Sequence, residues 1–277
     1  MGVYRSKDNA LESLFGKPRA VIGVIHARPL PGAPQYGGDP VDALYDLAAR
    51  EAERYAAGGL DGVIVENHGD IPFLRPGDIG QETAAAMAVM ADRVRAAVDI
   101  PVGINVLANG GLTATAVAKA AGASFIRVNQ WANAYVANEG FVEGDAAKIT
   151  RYRAWLRAEG LKVFADVHVK HGAHAIVADR SIEELTRDAE FFDADVVIAT
   201  GQRTADAATP EEIATIKAAT DLPVVVGSGV DRDNVGRILG AADGVIVASS
   251  LKHDGVWWHE VDPDRVARFM ERARAAP

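Results

Sequence analysis

Pro223-Val224-Val225-Val226-Gly227-Ser228-Gly229-Val230 and, a little further on, Ala242-Asp243-Gly244-Val245-Ile246-Val247-Ala248-Ser249-Ser250-Leu251-Lys252 are the passages that decide the fold. Each is a short β-branched run that stops at small residues, the pattern of a buried strand ending in a tight turn. The segment between them, Asp231 to Gly240, reads as one short helix with Asp231 at its start. Glycines at 227 and 229 leave backbone amides open to close approach, and Ser249 and Ser250 offer hydroxyls and amides after the next strand. Two adjacent strand ends of this kind predict an anion site formed by Gly227, Ser228, Gly229, Ser249 and Ser250, most naturally for phosphate. In (β/α)8 barrels such a site follows strands seven and eight.

Working outward, the same strand–loop–helix unit recurs eight times. Ala20–Ile25 ends at His26, and Gly62–Val65 ends at Glu66-Asn67-His68. Pro101–Val106 carries Asn105, and Phe125–Val128 carries Arg127 and ends at Asn129. Leu161–Val169 carries Asp166 and His168 and leads to Lys170, and Val196–Ala199 ends at Thr200. Helix starts are marked by Asp39-Pro40, Ser181…Glu184, Thr209-Pro210 and Asp262-Pro263. Alternation at this spacing implies parallel strands. Polar residues close nearly every strand instead of gathering at one switch point, so the expected architecture is a single-domain α/β (β/α)8 TIM barrel over residues 1–277. Residues 1–18 form an N-terminal extension, with a short helix at 8–15 placed to plug the barrel floor. The Pro/Gly-rich loop 28–38 is expected to act as a lid over the site.

Composition narrows the function classes. The chain has 277 residues, 49% of them apolar, a net charge of −9 and no cysteine. The acidic balance argues against nucleic acid or an anionic membrane as partner, and the missing cysteines exclude thiolate chemistry and disulfides. No apolar run approaches membrane-span length and no signal core opens the sequence, so a cytoplasmic protein is expected. Trp257-Trp258 are read as covering the barrel or a subunit contact, and a homo-oligomer is expected.

Strand alternation sorts the chemistry. Asp166, His168 and Lys170 share one parity while Val163, Ala165, Val167 and Val169 share the other, so the ionisable set is placed toward the barrel axis. Arg127 and Asn129 alternate with Ile126 and Val128 in the same way. A buried charge cluster must satisfy itself or bind something. The expected catalytic groups are Asp166, His168, Glu66 and Lys170, with Asp166 and His168 working as an acid–base pair and Lys170 a candidate Schiff-base amine. Substrate-binding residues are His26, Asn105, Arg127, Asn129 and Thr200; Arg127 with Asp166 also reads as a plain structural ion pair. No cofactor or metal is predicted, although Glu66, Asp166 and His168 are a possible set for a divalent metal.

Ile22-Gly23-Val24-Ile25-His26 with Pro29-Leu30-Pro31-Gly32 resembles the opening signature of the BtpA/SgcQ family. Gly62–Asn67, Gly103–Leu107, Ile126–Asn129, Ala165–His171, Thr200-Gly201-Gln202 and Gly227–Val230 match its later segments, and the resemblance runs from about residue 18 to 272. Ala205 and Ala248 stand where the family pattern leads one to expect glycine. The resemblance implies a barrel related to the ribulose-phosphate-binding group. It also implies one of two functions: a role of the kind reported for photosystem I biogenesis in phototrophs, or a place beside sugar-metabolism proteins. The leading expectation is an enzyme acting on a small phosphorylated sugar or nucleotide-derived metabolite, by isomerisation, aldol-type cleavage or glycosidic-bond cleavage. The alternative is a non-catalytic assembly factor.

Overall fold

The computed structural model describes residues 7–170, 172–201 and 207–276. Eight parallel strands close into a barrel: β1 (Ala20–His26), β2 (Gly62–Glu66), β3 (Val102–Asn105), β4 (Phe125–Val128), β7 (Lys162–Asp166), β8 (Val196–Ala199), β9 (Val224–Val226) and β10 (Gly244–Val247). β10 pairs with β1, as Ala20↔Gly244 to Gly23↔Val247, and leaves no edge. Strands β5 (Ala134–Ala137) and β6 (Gly140–Glu143) form a separate antiparallel hairpin in the long loop after β4. The main helices are α2 (Val41–Gly58), α3 (Gln81–Ala97), α4 (Gly111–Ala121), α5 (Ala146–Trp155), α6 (Ile182–Phe191), α7 (Pro210–Ala219), α8 (Val235–Leu239) and α9 (Pro263–Arg274). No helix among the described residues is long and apolar enough to cross a membrane.

Three boundaries differ from expectation. α2 starts at Val41 with Pro40 in the cap position and no side-chain cap from Asp39. α8 is only Val235–Leu239, because Asp231 spends its carboxylate on the amides of Asp233 and Asn234 in a turn ahead of it. β7 ends at Asp166, and the backbone bends at Val167 and His168, so strict period-two alternation stops there. Elsewhere the caps hold: Ser181 and Glu184 form a reciprocal capping box, and Thr209 and Asp262 accept from the first amides of α7 and α9.

Alternation splits the core into two layers. Ile22, Val24, Ile64, Phe125, Phe164, Val196, Ile198, Val225 and Ile246 fill the barrel interior, while the opposite parity packs under the helices. Helix α1 (Ala10–Phe15), capped by Asn9, joins the interior cluster: Leu11 is fully buried, and the Phe15 ring meets Phe125 edge-on at 6.1 Å. Phe125 stacks on Phe164 at 4.6 Å. The lower barrel is therefore solid, and only the C-terminal end of the strands is left for polar groups.

Outside the barrel, one ion pair is fully out of water. Lys252 donates from Nζ to both Glu51 oxygens at 2.9 and 2.8 Å, and Glu51 also accepts from the Val261 amide. This ties α2 to the segment after β10. Lys252→Met should cost about 3–5 kcal/mol by stranding the Glu51 charge, whereas Lys252→Met with Glu51→Leu should restore most of that loss. Urea unfolding of the two variants measures both, and equal stability of the single and double variants would contradict it.

Candidate active site

Each of the eight barrel strands reaches the upper rim with an inward position next to the solid interior, and the residues there divide the rim in two. His26, Glu66, Asn105, Arg127 and Asp166 line one side, in register as His26↔Glu66, Glu66↔Asn105 and Asn105↔Arg127. Thr200, Gly227 and Ala248 line the other. Their small side chains leave room that the long side chain of Arg127 uses: a Cβ on Gly227 would lie 3.3 Å from Arg127 Nη2 and 2.5 Å from Ile198 Cγ2. Glycine is required there by close approach.

Arg127 and Asp166 meet in a two-pronged contact, Nε to Oδ1 at 3.2 Å and Nη2 to Oδ2 at 3.1 Å, both side chains buried. Asn129 Nδ2 adds a third donor to Oδ2 at 3.0 Å. Burial raises the Asp166 carboxyl above its ordinary pKa against the pull of Arg127 and Asn129. Across the rim, Asn105 Nδ2 donates to Glu66 Oε2 at 2.6 Å. Both asparagines thus have their amide orientation fixed by a carboxylate, which can only accept. Their carbonyl oxygens, Asn105 Oδ1 and Asn129 Oδ1, are buried with no hydrogen-bond partner among the described residues. Two oriented acceptors of this kind are available to hydroxyl, amine or water donors.

The loop that the sequence predicts to be an anion site, called the anion loop, lies beside them. Gly229 has φ +67, and the amides of Ser228, Gly229, Ser249 and Ser250 have no acceptor among the described residues. Lys170 Nζ donates to Ser228 Oγ at 2.9 Å, which brings a cation to the open amides. The contact places Lys170 at the anion loop; burial, then Arg127, lowers its pKa, while Glu66 and Asp166 oppose that. Ser250 is different, since its hydroxyl donates to the Val230 carbonyl and braces the loop. Thr200 Oγ1 likewise donates to the His168 carbonyl and holds the bend after β7.

Asp166 and His168 are not brought together. Because the strand ends at Asp166, His168 leaves the alternation, and its ring stacks on His174 at 3.7 Å. Burial, and then His174, lowers its pKa. His174 bonds the Val169 carbonyl and stacks on Tyr135 of the β5–β6 hairpin. This hairpin, bridged through Val136 to Ala173, covers the loop after β7. Loop 28–38, by contrast, is pinned at one end: Leu30 is fully buried and its amide donates to Asp70. His171, Gln202 and Ala205 lie outside the described residues.

The set Glu66, Asp166 and His168 is not a metal-ligand group. Instead Glu66 is flanked by His26 and His68, and ligand atoms of these three lie within 4.8 Å of one another, the one such group among the described residues. Burial pushes the His26 imidazole down to about 3, against the charge of Glu66. Burial by itself would raise Glu66, but His68, His26 and Arg127 outweigh it and hold the carboxyl well below its usual range. His68 was the residue that strand reading passed over. Its signal was the spacing Glu66-x-His68, the same as Asp166-x-His168. A separate open cleft of about 610 Å³, lined by Arg28, Pro29, His253, Trp258, His259 and Glu260, contains none of the predicted site residues.

The BtpA family profile matches residues 17–275. Among similar proteins, the photosystem I biogenesis protein BtpA of Synechocystis is 42% identical over 259 residues, covering 93% of this chain and 88% of its own. An uncharacterized protein of Archaeoglobus fulgidus is 41% identical over 256 residues, covering 92% and 99%. Solved structures of the same barrel include Mycobacterium tuberculosis tryptophan synthase, with TM-score 0.60 and 19% identity over 96% of both chains. (S)-3-O-geranylgeranylglyceryl phosphate synthase of Thermoplasma acidophilum, solved with its substrate sn-glycerol-1-phosphate, aligns with TM-score 0.59 and 16% identity, covering 97% of this chain and all of that one. At these identities the structural likeness establishes the fold.

The anion loop can be tested directly. Gly229→Asp keeps a residue type that tolerates positive φ and sets a carboxylate beside the open amides. Inorganic phosphate should stabilise the wild-type protein and leave the folded variant unmoved; equal shifts in a melting experiment would place the anion elsewhere.

Proposed function

The chain belongs to the BtpA family, and from the chemistry of its barrel mouth we propose that it is an enzyme acting on a small phosphorylated, hydroxyl-bearing metabolite of the sugar-phosphate kind. The observation that carries this reading is the pair of buried carbonyl oxygens on Asn105 and Asn129 that have no donor among the described residues. A scaffold would gain nothing from holding two such oxygens inside the barrel, because each buried acceptor without a donor costs about 1–3 kcal/mol. A polyol offers them hydroxyl donors. Its phosphate would sit on the amides of Ser228, Gly229 and Ser249, with Lys170 supplying the charge.

In this arrangement Asp166 is the group that moves a proton. Its raised carboxyl suits a residue that both takes and gives one, and Arg127 and Asn129 fix its position. Arg127, in the space opposite Gly227, also stabilises negative charge that develops on the substrate. Isomerisation, aldol-type cleavage and glycosidic-bond cleavage can each use such a carboxylate and such a cation. His26, Glu66 and His68 complete the far side of the rim and contact the same molecule or what activates it.

A non-catalytic assembly role is the second reading, favoured by the name of the Synechocystis relative at 42% identity. A thermal-shift panel of phosphosugars, nucleotides and their unphosphorylated counterparts separates the two. A true ligand at a hundred times its Kd adds about 2.7 kcal/mol to stability. If no phosphorylated compound shifts the melt, the assembly role takes the lead. With the ligand found, Asp166→Asn should lower turnover by about 10²–10⁴-fold while the Kd changes far less. Wild-type turnover in the folded variant would make the Arg127–Asp166 contact purely structural.

A further inference from the structure

We propose that His26, Glu66 and His68 form a binding site for one divalent first-row transition-metal ion, with His26 Nε2, His68 Nδ1 and Glu66 Oε1 as its ligands. The tautomer of His26 comes from geometry. Its Nδ1 lies 3.1 Å from the Trp257 carbonyl oxygen, which only accepts, so Nδ1 carries the hydrogen. In the neutral ring, Nε2 then presents a lone pair to Glu66 Oε1 at 3.6 Å. That is too long for a hydrogen bond, and two acceptors facing each other repel unless a cation stands between them. Ligands bound at about 2.0–2.2 Å in tetrahedral geometry lie about 3.3–3.6 Å apart, which matches this separation. His68 Nδ1 is hydrogen-bonded to the same oxygen at 2.9 Å, on a ring stacked against His26 at 4.5 Å, and a metal ion bound there would take the place of that hydrogen.

The surroundings are those of a ligand set that is oriented in advance. The backbone carbonyl of Trp257 fixes one imidazole, and the Asn105 amide holds the free carboxylate oxygen, Glu66 Oε2, at 2.6 Å. The indole of Trp257 lies edge-on to both imidazoles, 4.5 Å from His68 and 5.7 Å from His26, and Phe73 meets His68 at 5.9 Å. Apolar rings around two imidazoles and a carboxylate limit water and strengthen metal binding. Two histidines and one carboxylate suit zinc, iron(II), cobalt(II) or manganese(II) better than magnesium or calcium. Three protein ligands leave coordination positions open, the arrangement of a catalytic site and not of a structural one. If the barrel turns over a phosphorylated polyol as proposed above, the open position suits a substrate carbonyl or hydroxyl oxygen. The metal site itself does not depend on that reading.

The test uses tag-free protein freed of metal by chelation and titrated with cobalt(II), then with zinc. The expected result is one cobalt per chain, with visible absorption from nitrogen ligation, and displacement of that signal by zinc. His68→Ala and Glu66→Gln, each shown to be folded by circular dichroism, should weaken cobalt binding by about 100-fold or more. Asn105→Ala, which removes the amide donor to Glu66 Oε2 and leaves all three ligands in place, should weaken it by about 10–100-fold. Metal should raise the melting temperature of the wild-type protein and not that of His68→Ala. Absence of stoichiometric cobalt binding, or equal affinity in wild type and His68→Ala, would overturn the site and leave an ordinary hydrogen-bonded His–Glu–His cluster. Because the readouts are metal content, spectrum and melting, failure here is distinguishable from failure to find a phosphorylated substrate.

Discussion

Arg127 and Asp166 meet inside the barrel, away from water, and the upper half of the structure is arranged around that contact. Taking both charges out of solvent is costly, and their attraction offsets the cost only if the geometry is good and the remaining hydrogen-bonding positions are filled. The two-pronged contact, the Asn129 amide and the gap left by Gly227 meet those conditions. Below the pair, Phe125 and Phe164 sit on the same strands and the same parity, two residues earlier. A single alternation thus sets both the dry floor and the charged rim.

The rim is asymmetric for a physical reason. Charged and amide side chains from β1 to β7 crowd one side, and Thr200, Gly227 and Ala248 leave the other side open next to the anion loop. Lys170 is brought to Ser228 by the bend after β7 and is the cationic side chain that touches this loop.

Loops hold the site by side-chain-to-backbone bonds instead of regular structure. Asn67 bridges the loops after β2 and β3 through the amide and carbonyl of Leu107, and Asn109 does the same for Gln130 and Glu143 around the β5–β6 hairpin. Each such asparagine satisfies backbone groups that would otherwise be buried unpaired, which is how irregular segments can sit so close to the rim. The buried Lys252–Glu51 pair performs the same service outside the barrel, fixing the segment that delivers Trp257 to the histidines.

The sequence by itself determined the barrel and most of its inward residues. Strand alternation is a local property: Arg127 beside Ile126, Glu66 beside Val65 and Asn105 beside Ile104 can face only one way once the strands are parallel and closed. What alternation could not supply was anything beyond a strand's last hydrogen bond. His168 was misplaced because β7 stops at Asp166, and Lys170 reached the anion loop instead of the Asp166 side for the same reason. The His26–Glu66–His68 group needed two neighbouring strand ends and a carbonyl from residue 257 to meet in space. Such meetings depend on how loops fold over a closed barrel, and loop paths are set by long-range packing and hydrogen bonds that no local spacing encodes.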